Sequence, residues 1–337
     1  MMSLCAVFAA LFFGFDADTN PARTVEFEVV PAAVGLQLVR ASLPFAEGLL
    51  KADTAVVIRT PKDVTSAAVR PLTYHASTPY VRRAIVTFPY RFTSNEPVRF
   101  SIAAAQAKEE NEVAAAKVEQ PMPRVAMQSG LLTIEQPSGP TLKAKPIVPR
   151  DISSQEWKKE TVEKHAYFEW YRFIGDDAHW PLVIEVRVDA LGGVAVIAHL
   201  QRNLSGDDRA PDFGWELECA EQPVELFIDD ARQPIESHSY EHAFKHAESS
   251  RLRFADGKFE VNHPTQHLKR RGRVELHQGD AGKIQYRYLR CTKADEVPMQ
   301  ERTWQRAEFV ITPTSAAKLT SSLTYPHEVK SGPGVVG

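Results

Sequence analysis

The chain has 337 residues, 43% of them hydrophobic and 25% charged, which excludes disordered and collagen-like chains and supplies apolar material for more than one core. Forty Lys and Arg stand against 43 Asp and Glu, a net charge of −3 that argues against a dedicated nucleic-acid binder, because phosphate contacts require a basic excess. The 23 prolines outnumber the 17 glycines and recur between short β-branched and aromatic runs. That is the punctuation of strands, so the fold class expected is all-β.

Residues 4–15, LCAVFAALFFGF, form an apolar stretch of signal-peptide length followed at once by Asp16 and Asp18. A signal peptide over residues 1–20 is expected, with a buried N-terminal strand or helix as the alternative. The localisation expected is therefore secreted or periplasmic. The stretch is too short to span a bilayer, and no other segment approaches that length. Cleavage leaves Cys219 and Cys291, both in strand-like text. An oxidising compartment permits a disulfide between them if their strands pair side by side; two buried thiols are the equal alternative.

In chain order, TVEFEVV (24–30) sets Val25, Phe27 and Val29 on one face and Glu26 and Glu28 on the other, a half-buried strand. Short apolar runs follow at 35–39, 55–59, 83–88 and 98–103, each bounded by turn residues. This spacing predicts a small barrel over residues 22–104. Residues 103–120 are rich in Ala, Glu and Lys and end at Pro121 and Pro123, so residues 105–126 are expected to be a linker, helical or flexible. Strands resume over 127–315 with three hairpins, turning at Gly192-Gly193, at Asp256-Gly257 and over 279–282, and predict a larger antiparallel β-sandwich before a tail at 316–337.

The densest histidine cluster is His238, His242 and His246, which share one face on a helix or a strand. Two of them have zinc-ligand spacing, yet no HExxH context or second ligand pair accompanies them, and a solvated stripe is the favoured reading. There is no nucleophile elbow, catalytic-cysteine context, phosphate loop or dinucleotide fingerprint. Asp176-Asp177, Asp207-Asp208 and Asp229-Asp230 sit beside turn residues and read as solvated acids. The basic run KRRGR, 269–273, is able to contact an anionic polymer, but a solvated loop is the favoured reading. No metal and no cofactor are expected, and no catalytic residue is assigned. The run HAYFEWYR, 165–172, alternates His165, Tyr167, Glu169 and Tyr171 with Phe168, Trp170 and Arg172. Exposed aromatics and guanidinium on a sheet suit a saccharide, since ring faces stack on CH surfaces and Arg pairs with carboxylate; a buried aromatic strand is the simpler alternative. The candidate substrate-binding residues are Trp170, Tyr171, Arg172, His199 and Arg202.

The stretch VRASLPFAEGLLKADTAVVIRT, 39–60, with Leu43, Pro44, Phe45, Gly48 and Leu49, resembles the opening of the N-terminal RIFT-type barrel of exo-rhamnogalacturonan-lyase-like proteins. The stretch YVRRAIVTFPYRF, 80–92, resembles that family's closing strand, although Ser77, Thr78 and Pro79 replace the expected Trp-Pro-Asp-Gly-Ser turn. Residues 130–312 are similar in layout to its central β-sandwich, including IEVRV at 184–188 and RTWQRAEFVI near the end. The resemblance implies a small RIFT-like β-barrel followed by an antiparallel β-sandwich, without the helical toroid associated with that family's lyase site. It implies an exported β-module protein related to polysaccharide lyases, carbohydrate-binding or scaffolding, or a truncated lyase, with a polysaccharide or oligosaccharide as partner and no nucleic acid or membrane span. The alternatives are a complete lyase acting on uronide glycans by β-elimination, in which Tyr171, Arg172, His199 and Arg202 converge, and a structural surface-assembly module.

Overall fold

A computed structural model describes residues 24–31, 34–60, 64–104, 122–137, 141–148, 151–176, 181–201, 213–219, 223–228, 231–233, 239–244, 250–254, 259–263, 271–278, 284–291 and 304–313. Every regular element among them is a β-strand, as the proline and alternation pattern predicts. Residues 1–20, expected to be a signal peptide, the bulk of the expected linker and the expected C-terminal tail lie outside the described residues. Among the described residues no helix is long and apolar enough to cross a membrane. The chain divides into two compact units: one of Met1–Gln120, His165–Phe168 and Lys318–Gly337, the other of Pro121–Lys164 and Glu169–Ala317.

The first unit contains β1 (Val25–Val29), β2 (Gly35–Pro44), β3 (Val56–Arg59), β4 (Val64–Tyr74), β5 (Val81–Phe92) and β6 (Val98–Ala104). They form one antiparallel sheet in the order β1-β6-β3-β4-β5-β2. Flat, this sheet would hold β6 and β5 about 14 Å apart, three ladder spacings. Instead the rings of Phe88 on β5 and Phe100 on β6 meet at 5.2 Å, and Phe27 on β1 stacks on Phe100 at 5.5 Å, so the sheet curls around a single core. Alternation predicts β1 correctly, with Val25, Phe27 and Val29 buried. It misses β4, whose residues are nowhere buried and whose ladder shifts register between Pro71 and Thr73. Proline cannot donate to a ladder, and the bulge hides the period. His165–Phe168 belongs to this unit: the Tyr167 hydroxyl hydrogen-bonds the Ser66 hydroxyl, and the Arg40 guanidinium lies 3.8 Å from the Phe168 ring centroid.

The second unit contains β7 (Arg124–Gln128), β8 (Leu131–Glu135), β9 (Thr141–Ile147), β10 (Trp157–His165) as far as Lys164, β11 (Phe168–Gly175) from Glu169 onward, β12 (Leu182–Asp189), β13 (Val194–Gln201), β14 (Phe213–Cys219), β15 (Pro223–Ile228) and β16 (Ala231–Gln233). It continues with β17 (Ser239–Phe244), β18 (Ser250–Phe254), β19 (Phe259–His263), β20 (Arg271–Gln278), β21 (Ile284–Cys291) and β22 (Trp304–Pro313). Because β7 begins at Arg124, the last three residues of the expected linker are strand. Nine strands run β10-β11-β12-β13-β22-β19-β18-β15-β16, and seven run β17-β20-β21-β14-β9-β8-β7. Their facing sides share one core, in which Trp215 of β14, fully buried, donates its indole N–H to the Ala307 carbonyl at 3.1 Å and meets the Phe309 ring edge-on at 5.1 Å.

The three predicted hairpins form as β12–β13, β18–β19 and β20–β21. At the first, Gly192 takes φ 89°, a conformation that L side chains rarely adopt. Asp189, 5% exposed, closes the turn by accepting the Leu191 and Gly193 N–H groups on one oxygen at 2.8 and 2.9 Å. Burial raises its carboxyl to about 6, against the lowering effect of those two bonds.

Of the two alternatives for Cys219 and Cys291, the register argues against the disulfide. Cys219 of β14 pairs with Ile284, at the far end of β21 from Cys291. Seven residues of strand at about 3.4 Å each separate the two positions by roughly 24 Å along the ladder, whereas a disulfide needs Cα atoms within about 7 Å. The strands are indeed neighbours; the register excludes the bond.

Two predictions follow from these contacts. Trp215→Phe keeps a ring against Phe309 but removes the donor to a buried carbonyl, and costs about 1–3 kcal/mol in urea denaturation, while Trp215→Ala costs about 3–5 kcal/mol; an unchanged midpoint in both variants contradicts the packing described. Asp189 binds its proton more tightly folded than unfolded, so its contribution is most favourable below pH 4 and declines by about 3 kcal/mol as pH rises past 6. Asp189→Asn, which retains an acceptor oxygen, lacks this decline: subtracting the two stability profiles gives a slope between pH 4 and 7, and parallel profiles refute the burial argument.

Candidate functional site

On β11, Tyr171 and Phe173 enter the sandwich core, which sends Trp170 and Arg172 to the opposite face of the sheet. On β12, Ile184, Val186 and Val188 enter the core, so Glu185, Arg187 and Asp189 share the face of Trp170. Glu185 ties two arginines together: its Oε1 accepts from Arg172 Nε at 3.1 Å and its Oε2 from Arg187 Nη2 at 3.1 Å. Both guanidinium groups flank the Trp170 ring, Arg187 at 4.5 Å and Arg172 at 5.4 Å from its centroid. The side chains of Arg172, Arg187 and Glu185 are 40%, 17% and 12% exposed. The group thus carries two positive charges, one negative charge and an indole, with Arg172 as its open side. These elements suit an anionic ligand with an apolar face, since guanidinium engages carboxylate through paired N–H groups and indole presents a π face.

Of the residues expected to bind substrate, Trp170 and Arg172 come together here. Tyr171 does not: it is 8% exposed, on the core face, with the Lys159 ammonium 3.8 Å from its ring centroid. The reason is strand parity, since neighbours in a strand point to opposite faces. His199 on β13 pairs with Val183, placing it on the Trp170 face two positions along β12 from Glu185. Arg202 lies outside the described residues. The run HAYFEWYR is not one strand, because β10 ends at His165 and β11 begins at Phe168. Tyr167 lies in the turn itself, where its N–H donates to His165 Nδ1 at 3.3 Å. Of the histidine cluster, His242 lies on β17 opposite Val274, and His238 and His246 lie outside the described residues. Among the described residues no group of three His, Cys, Asp or Glu side chains is placed to hold a metal ion. Arg271–Arg273 opens β20, so that part of KRRGR is strand rather than loop. Sequence reasoning missed Glu185 and Arg187, although their alternation in IEVRV was visible.

A second ionic network occupies the same face at the other end of the sheet. Glu260, whose side chain is 0% exposed, accepts from Arg253 Nη2 at 2.6 Å and lies 3.7 Å from Arg251. Arg253 also bonds Glu225 at 3.0 Å, and Arg232 reaches Glu225 at 3.3 Å. Arg251 and Arg253 sit 4.4 and 5.5 Å from the Phe227 ring centroid. Cross-strand pairing runs Arg187–Ala195–Val310–Asn262–Arg251, four ladder steps or about 19 Å, so this network is separate from the Trp170 group.

No family model matches the chain, and no curated protein matches it. Among solved structures, the crystal structure of an alpha-mannosidase from Enterococcus faecalis V583 is similar at 11% identity and a TM-score of 0.48. The match covers 94% of this chain and 48% of that one, so the chain spans about half the length of the mannosidase. A likeness at this level carries no functional argument.

The buried network predicts a coupled stability effect. Arg253→Met leaves Glu260 charged and poorly compensated and costs about 3–5 kcal/mol, whereas Arg253→Met combined with Glu260→Met recovers most of that loss. A double-mutant cycle by chemical denaturation measures the coupling; additive losses contradict it.

Proposed function

We propose that this chain is a carbohydrate-facing β-module protein related to polysaccharide lyases, which binds an acidic saccharide on the outer face of β11 and β12. The observation that carries this reading is the Trp170 ring flanked by Arg172 and Arg187, both linked to Glu185. The half-buried Trp170 ring supplies an apolar contact, and Arg172, 40% exposed, supplies a guanidinium for the sugar's carboxylate. Tyr171, turned into the core, takes no part.

A complete lyase is the second reading, favoured by His199 on β13 sharing the sheet face of Arg172, since β-elimination needs a base as well as a carboxylate-neutralising cation. It loses Tyr171 as its hydroxyl group. Ultraviolet absorbance of unsaturated uronide, compared with a heat-killed control, tests it directly.

For the binding reading, affinity electrophoresis in gels containing acidic polysaccharide should retard the protein. Trp170→Ala and Arg172→Ala should each weaken binding about tenfold, and Tyr171→Phe should leave it within about twofold. Unretarded migration of the wild-type protein on every acidic polysaccharide refutes the reading.

A further inference from the structure

Glu185 stands where a ligand's carboxylate would be expected to stand. A carboxylate facing a single arginine commonly takes a two-point fork on one guanidinium. Glu185 instead divides its two oxygens between two arginines, with Oε1 on Arg172 and Oε2 on Arg187, both at 3.1 Å. The link to Arg172 uses Nε, a geometry that leaves the terminal Nη pair for a second acceptor. Glu185 is itself 12% exposed, between a 17% exposed Arg187 and a 40% exposed Arg172. Its charge is therefore weakly screened, and any anion arriving at Arg172 feels it.

We propose that Glu185 is a built-in counter-anion: it positions the two guanidinium groups around Trp170 and competes with the ligand's carboxylate for them, setting the affinity and anion selectivity of the site. This rests on the saccharide-binding reading above. Glu160, which also acts on Arg172, is matched by Lys158 at 2.8 Å, so the two arginines and Glu185 leave one positive charge, which a single ligand carboxylate neutralises. Removing the Glu185 charge leaves two positive charges facing the same ligand. A neutral saccharide, held by stacking and hydrogen bonds, gains nothing from that change. Glu185 is thus a positioning residue whose removal strengthens binding selectively, whereas a purely structural residue weakens binding of every ligand alike.

The test compares Glu185→Gln with wild type by titration calorimetry, using an oligogalacturonide and the same oligosaccharide with its carboxyl groups reduced to alcohols. The expected result is about tenfold tighter binding of the oligogalacturonide by the variant, with a correspondingly higher preference for it over the reduced form. Equal or weaker oligogalacturonide binding by a folded variant overturns the proposal while leaving the saccharide reading intact if wild type binds. Failure of wild type to bind either oligosaccharide overturns both. Glu185→Asp draws the charge back from Arg172 and should tighten oligogalacturonide binding about threefold; it carries the test if Glu185→Gln does not fold, and no tightening there overturns the proposal equally.

Discussion

The central strands of the nine-stranded sheet are withdrawn from solvent on both faces, and the rest of the second unit follows from that constraint. On the side of the seven-stranded sheet, Val196, Ala198, Phe309 and Ile311 pack around Trp215. On the opposite side Ala195, Ile197 and Val310 are 0%, 2% and 1% exposed, as little as any core residue. Yet that second side also carries Glu185, Asp189 and Glu260. A carboxylate removed from water is tolerated only with partners, and each of these has them: two arginines for Glu185, two arginines for Glu260, two turn amides for Asp189.

Exposure separates the two arginine–glutamate networks. Around Glu260, at 0% exposure, the Coulomb attraction largely offsets the loss of hydration, and the result is a fixed internal ladder that spans β15, β18 and β19. Around Glu185, the partner Arg172 remains 40% exposed, so exchanging one acceptor for another costs little desolvation. The same chemistry therefore holds the sheet together at one end and leaves a 40% exposed guanidinium at the other. Trp170 sharpens the difference, because its indole is placed against the more open arginine pair, while Phe227 lies under Arg251 and Arg253 in the closed one.

Much of this was legible where local chemistry determines geometry. The alternation of β1, the glycine turn between β12 and β13 and the Asp256-Gly257 hairpin were readable because their contacts lie within a few residues. The Arg253–Glu260 pairing is implied by that same hairpin once its turn is placed. What was not legible required pairing between distant segments. Cys219 and Cys291 do sit on neighbouring strands, but the register that separates them depends on the whole β14–β21 ladder. The partnership of Arg172 with Glu185 likewise needs β11 beside β12. Tyr171 is a different case: its neighbours Trp170 and Arg172 already implied that it faced the other way, and grouping it with them ignored strand parity. In HAYFEWYR the alternation was extended across a turn, where the period of two no longer applies.

On the proposed reading an acidic saccharide settles against Trp170 and no other indole. The chain has five tryptophans, each with one indole N–H resonance in a nitrogen–proton correlation spectrum. Titration with an oligogalacturonide should displace the resonance that Trp170→Phe removes, saturably, while that of Trp215, locked to the Ala307 carbonyl, stays in place. A spectrum in which the Trp170 resonance remains fixed while ligand binds, or in which another indole moves instead, contradicts the account.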